Sequence, residues 1–339
     1  GGLRVGRPRL RRRRRRRHVG LVVTETDGGG EAARTEATPD DHGVVRLPVA
    51  GLDADTAHRA VLVVDGDPVD ERAVSFRTFP EGAADFVVAF GGCARVGSNG
   101  AVFDAIAAEE PLLYTIVGDF HYANIGDDDP GEIRRVLDHT LSRPGQAALY
   151  ASTPVAYVWD DHDFGADDAD GTSPSRPAVM EVYREFVPHY PMAGPDSTIE
   201  QAFTIGRVRF LMTDGRSAST PPDAAAPTML GEDQLRWLER ELASAADTHP
   251  LIVWINPVPW IAEPGGDGWG AYPEERARIA AVIAEHDIDQ LVMVSGDAHM
   301  VALDDGTNSD YSGTDRDGFP VLHVAALDRP GSVKGGPYS

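Results

Sequence analysis

Three short segments, GDFHY, WDDHD and SGDAH, gather carboxylates and imidazoles directly behind apolar runs. The runs are Phe86–Phe90, leading to Cys93; Leu112–Val117, leading to Asp119; Val155–Trp159, leading to Asp160 and Asp161; and Leu291–Val294, leading to Asp297. Val208–Met212 and Leu251–Ile255 end likewise on Asp214 and Asn256. A carboxylate such as that of Asp119 can bridge two cations, because each oxygen can bind one. Tyr122 ligates only as phenolate, a cost of several pK units near neutrality that a hard trivalent ion such as Fe(III) meets best. In WDDHD, ionisable side chains in succession after VAYVW are expensive to bury unless paired or metal-bound. His162 between Asp161 and Asp163 suits general-acid work or phosphate contact. Asp297 and His299 alternate, so on an extended chain both face one side, as a ligand pair would. Cys93 and Arg95 add a thiolate and a guanidinium, the latter matched to phosphate oxygens. Each residue alone has a plainer reading as a turn former, a packed aromatic or a small buried thiol. Their repeated placement after apolar runs is the stronger signal.

The elements that must position them follow from the same pattern. Short β-branched runs read as buried strands, and ligands in layered α/β sheets sit beyond the carboxyl ends of strands. From residue 81 onward strands alternate with amphipathic helices, expected over Gly100–Glu109, Gly131–Leu141, Ala178–Val187, Glu232–Ser244 and Pro273–Glu285. That alternation argues for an α/β sheet covered by helices on both faces. Residues 19–80 show short alternating segments instead, Leu21–Thr26, Gly43–Pro48, Ala60–Val64 and Ala73–Arg77, which read as an antiparallel β module. The expected organisation is a tail over 1–18, a β module over 19–80 and the main domain over 81–339.

Composition limits the partners. The 339 residues carry a net charge of −23, but residues 1–18 hold ten arginines and no acid, so the remainder stands at −33. An acidic body repels nucleic acid and anionic membranes and attracts divalent cations. The arginine run is expected to be disordered, since like charges at that density cannot bury a face. Cys93 is the only cysteine, which excludes an internal disulfide. No run approaches the roughly 18 apolar residues of a spanning helix. Val19–Thr24 is too short for the apolar region of an export signal.

The order GGCAR, GDFHY, WDDHD, TDGRS, MLGEDQLRWLERELA, GWGAYPEER and SGDAHM resembles the alkaline phosphatase D (PhoD-like) group of metallophosphoesterases. The resemblance covers about residues 50–330. It implies an α/β (α+β) fold, a two-sheet β-sandwich flanked by helices. The β module, ending in SFRTFP, resembles the C-terminal part of a fibronectin III-like domain and is short for a full one. The implied centre holds one Fe(III) and one or two Ca²⁺. Cys93, Asp119 and Tyr122 hold the iron, Asp119 bridges to the second metal, and Asp161, Asp297 and His299 complete the ligands. His162 is the implied general acid, and Arg95 and Arg216 meet the phosphate. Asp160 and Asp163 are read as structural. The implied activity is hydrolysis of small phosphate esters by metal-activated water. The alternatives are a phosphodiesterase of the same fold, a non-catalytic metal- or phosphate-binding homologue, and polyanion binding by the arginine tail.

Overall fold

The computed structural model describes residues 18–329 apart from 193, 195, 315 and 317. The arginine run, expected as a disordered tail, lies outside the described residues, as does the chain beyond 329. The chain divides into two compact units after Thr78.

The first unit is one antiparallel sheet of β1 (Val19–Glu25), β2 (Glu31–Ala37), β3 (Ala57–Val64) and β4 (Asp67–Arg77), in the order β2-β1-β3-β4. The strand expected at Gly43–Pro48 is absent, and EAARTEA forms β2 instead. As the outer strand its residues stay exposed or half-buried, so it needs no apolar alternation, and β1 supplies its pairing. Pairing rather than pattern makes this strand.

The second unit begins with β5 (Val88–Gly91), α1 (Val102–Ala108) and β6 (Leu113–Val117). It continues through α2 (Pro130–Leu141), α3 (Pro144–Ser152), β7 (Val155–Val158), the single turn α4 (Asp161–Phe164) and α5 (Arg176–Phe186). Next come β8 (Gln201–Ile205), β9 (Val208–Met212), α6 (Gly231–Thr248), β10 (Leu251–Ile255) and α7 (Pro273–Glu285). The last strands are β11 (Leu291–Ser295), β12 (Val301–Asp304) and β13 (Val321–Val324). Strands β5, β6 and β7 form a parallel sheet, and a second sheet runs β12-β13-β11-β10-β9-β8 with β9, β10, β11 and β13 parallel.

Strand alternation builds the layers. Phe210, Met212, Val253, Ile255 and Val294 turn to a core shared with Leu113, Ile116 and Tyr157 of the smaller sheet. Their neighbours Leu211, Ile252, Trp254, Leu291 and Met293 turn to the opposite core with Leu235 and Leu238 of α6 and Ile279 and Ile283 of α7. Two sheets therefore sit face to face with helices outside, a mixed α/β fold. The five expected helices are present with small shifts at their ends; α3, rich in alanine after Pro-Gly, lacked a readable stripe. Among the described residues, no helix is long and apolar enough to cross a membrane.

Candidate metal centre

Strands β5, β6, β7 and β11 end in turns that converge at the carboxyl edge of the two sheets. Glycine lets them approach. A Cβ on Gly92 would lie 2.4 Å from the Val117 carbonyl oxygen, and one on Gly296 would lie 2.5 Å from the same atom. Backbone bonds lock the turns: Cys93 N–H donates to Gly118 O (3.2 Å), Ala94 N–H to Asp119 O (3.0 Å) and Gly296 N–H to Pro257 O (2.7 Å). Four candidate ligands adopt left-handed backbone conformations, with φ of 58° at Cys93, 51° at Asp119, 56° at Asp297 and 51° at His299. Non-glycine residues adopt this region at a cost and cluster at functional sites.

The side chains meet. Ligand atoms of Cys93, Asp119 and His299 lie within 4.8 Å of one another, and so do those of Asp119, Asp160, Asp161 and Asp297. Asp119 belongs to both sets and to a third with Asp161 and His162. Tyr122 joins the first set: its hydroxyl donates to Asp119 Oδ2 at 2.5 Å and lies 2.8 Å from His299 Nε2. One set thus mixes sulfur, nitrogen and oxygen, as transition metals accept; the other is all carboxylate, as hard cations such as Ca²⁺ prefer.

The electrostatics fit a cation. Asp119 Oδ1, Asp160 Oδ2 and Asp161 Oδ1 are buried with no hydrogen-bond donor, an expensive state for carboxylate oxygens. Burial, then the charge of Asp161, pushes the Asp119 carboxyl far above the usual carboxylate range. Burial does the same to Asp160, against the pull of Arg216. Burial and the Asp119 charge push the Cys93 thiol up, and burial beside Cys93 and Asp119 raises the Tyr122 phenol. A bound cation reverses each of these penalties, because it stabilises the deprotonated forms.

Around this cluster, His162 is buried, with Nδ1 2.6 Å from Asn124 Oδ1 and Nε2 3.2 Å from Asp167 Oδ1. Asp163 turns to the backbone, accepting from Phe120 N (2.9 Å), Asp160 N (2.7 Å) and the Tyr157 hydroxyl. Burial lifts its carboxyl to about 7 against those bonds. Asp160, read from sequence as structural, stands in the carboxylate cluster and also pairs with Arg216 at 2.5 Å. Arg216 is buried and meets Asp267 as well, at 2.9 Å. Arg95 is 63% exposed, 3.8 Å from Asp328. The remaining strand-end residues hold the fold: Asp214 accepts from Trp159 Nε1 and three backbone amides, Ile199, Arg216 and Ser217. Asn256 accepts from Val258 N and Trp269 Nε1.

A family model of PhoD-like phosphatases matches residues 88–325, well over half of the chain. The chain belongs to the PhoD-like phosphatase family. The matched stretch opens with β5 and closes just after β13, so it contains every PhoD-like strand end that carries a candidate ligand. Alkaline phosphatase D of Bacillus subtilis (strain 168) is 26% identical over 186 residues, which is 45% of this chain and 32% of that relative. The match thus spans about a third of the relative's length. The solved structure of PhoD superposes with a TM-score of 0.78 at 18% identity, over 91% of this chain and 70% of that one. At that identity the likeness establishes the fold.

Sequence reasoning missed Asn124, Asp167, Asp267 and Arg329. Asn124 shares the left-handed backbone of the ligands (φ 52°), but nothing in YANI marks it. Arg329 lies past the last strand, where periodicity carries no information; its guanidinium carbon sits 3.5 Å from the centre of the Tyr122 ring.

Proposed function

We propose that this chain hydrolyses phosphate esters at a metal centre bridged by Asp119. The supporting observation is that one buried carboxylate belongs both to the Cys93/His299 set and to the Asp160/Asp161/Asp297 set. On this reading Cys93, Asp119, Tyr122 and His299 hold Fe(III), and Asp119, Asp160, Asp161 and Asp297 hold Ca²⁺. Cations held there lend Lewis acidity to the phosphoryl oxygens and bring the pKa of attacking water toward neutrality. Asp163 fixes the Asp160 and Phe120 amides, keeping the two ligand-bearing turns in register. Asn124 holds His162 through Nδ1, and Nε2, which meets Asp167 at 3.2 Å, is the nitrogen that would pass a proton to the departing alkoxide. Arg216 pairs with Asp160 at 2.5 Å and pulls against the burial that raises its carboxyl.

The substrate is a small phosphate ester, since the acidic body repels polyanionic polymers. Aryl phosphate monoesters and diesters assayed side by side test the reading. Hydrolysis of the monoester that Asp119→Asn removes supports a phosphatase, and faster diester turnover makes it a phosphodiesterase. Most of the activity surviving in the folded Asn variant refutes the bridge.

A further inference from the structure

The arginines chosen from sequence are poorly placed to meet substrate as free charges. Arg216 is buried between Asp160 and Asp267, at 2.5 and 2.9 Å, so two carboxylates already neutralise it. Arg95 is mostly exposed and 3.8 Å from Asp328. Arg329 differs on both counts. Its guanidinium lies over the face of Tyr122, with Nη1 3.3 Å from His299 Nε2. Among the described residues no carboxylate forms an ion pair with it. The neighbouring acid, Asp328, is turned away toward the Ser98 hydroxyl and Arg95.

Its position is set by the backbone. Leu327 N–H donates to Gly92 O at 2.9 Å, Arg95 N–H donates to Asp328 O at 3.4 Å, and Ala94 and Asp328 pair as a short parallel bridge. The segment before Arg329 is therefore stitched to the turn that carries Cys93. Stacking over Tyr122 orients the guanidinium plane, and such preorganisation reduces the entropy lost when it binds an anion. A lone pair on His299 Nε2 that serves a cation no longer accepts from Arg329, which leaves that N–H for another acceptor.

We infer that Arg329 is the anion-recognition residue of the site, donating a charge-assisted pair of hydrogen bonds to the oxygens of a phosphoryl group and of released orthophosphate. The inference rests on the phosphohydrolase reading and deepens it, assigning to Arg329 the role that the sequence suggested for Arg95 and Arg216.

The test is calorimetric binding of inorganic phosphate to the natively purified full chain, with metal content measured on the same samples. Arg329→Ala and Arg329→Gln are expected to keep the wild-type metal content while phosphate affinity falls about 10- to 100-fold, the usual range for a charge-assisted contact. Arg329→Lys is expected to recover part of that loss, since a point charge replaces the fork. KM for an aryl phosphate rises in step. Affinity within twofold of wild type at full metal content overturns the inference and leaves Arg329 a packing residue. Metal lost together with phosphate binding in both neutral variants also overturns it, because the arginine then acts by holding Tyr122. A wild-type chain that carries no metal and hydrolyses neither ester overturns the functional reading and this inference together, and metal analysis of the wild type alone identifies that case.

Discussion

At the centre of the site, Asp119 sits among three other aspartates with ligand atoms within 4.8 Å, and its second oxygen has no donor. Like charges at that spacing destabilise the fold until a cation offsets them. Replacing Asp119 by asparagine is therefore expected to have opposite effects in two states. With metal supplied, aryl phosphate hydrolysis falls by more than about 100-fold, beyond the effect of losing an outer partner. With chelator, the variant unfolds at a temperature equal to or above that of the wild type, because a buried charge is gone. Thermal unfolding read with and without chelator checks both; a variant less stable than wild type in chelator contradicts the crowding argument. Tyr122→Phe addresses the iron assignment. The wild type is expected to show a visible tyrosinate-to-iron band that the phenylalanine variant lacks, and an iron-free, colourless, active chain contradicts the assignment.

The strand-end turns carry the next scale. Gly92 and Gly296 press from two sides on the Val117 carbonyl, and backbone offers no flexible end to give way. Gly92→Ala and Gly296→Ala are each expected to cost about 1–3 kcal/mol in overpacking and to lower activity by moving Cys93 or Asp297. Gly30→Ala, which meets nothing within 4 Å, is expected to change stability by less than about 0.5 kcal/mol. Denaturant unfolding of the three variants makes the comparison; equal midpoints for Gly92→Ala and Gly30→Ala reject the close-approach account. These turns were legible in sequence because a β-branched run, a glycine and a ligand recur as a unit. Strand β2 was not, because an outer strand owes its existence to β1 rather than to its own residues. Nor was Asp160, whose neighbour Asp161 matched the motif; the fold buries both carboxylates in one cluster and brings Arg216 from the turn after β9 onto Asp160.

Across the whole molecule, the order of motifs along the chain made the layered fold and the convergence of the candidate ligands readable, since strands that run parallel bring their carboxyl ends to one edge. The positions of Asn124 and Arg329 were hidden because they depend on how loops return. Arg329 arrives only because residues 327 and 328 bind back to the turn after β5. The energetics are also collective. Cations that bind the folded chain and not the unfolded one raise its stability by mass action, about 2.7 kcal/mol at a hundredfold excess over Kd. Chelation is accordingly expected to lower the melting temperature, and restored metal to raise it in the wild type but not in Asp119→Asn. Unchanged melting on chelation argues against a cation-filled cluster.

Metal stoichiometry of the natively purified chain, measured by elemental analysis on the same preparation assayed against an aryl phosphate, tests the shared-carboxylate centre most directly. The expected result is at least two ions per chain, one for each ligand set that shares Asp119, with content and turnover falling together in Asp119→Asn. A chain free of metal that hydrolyses the ester at full rate would contradict it.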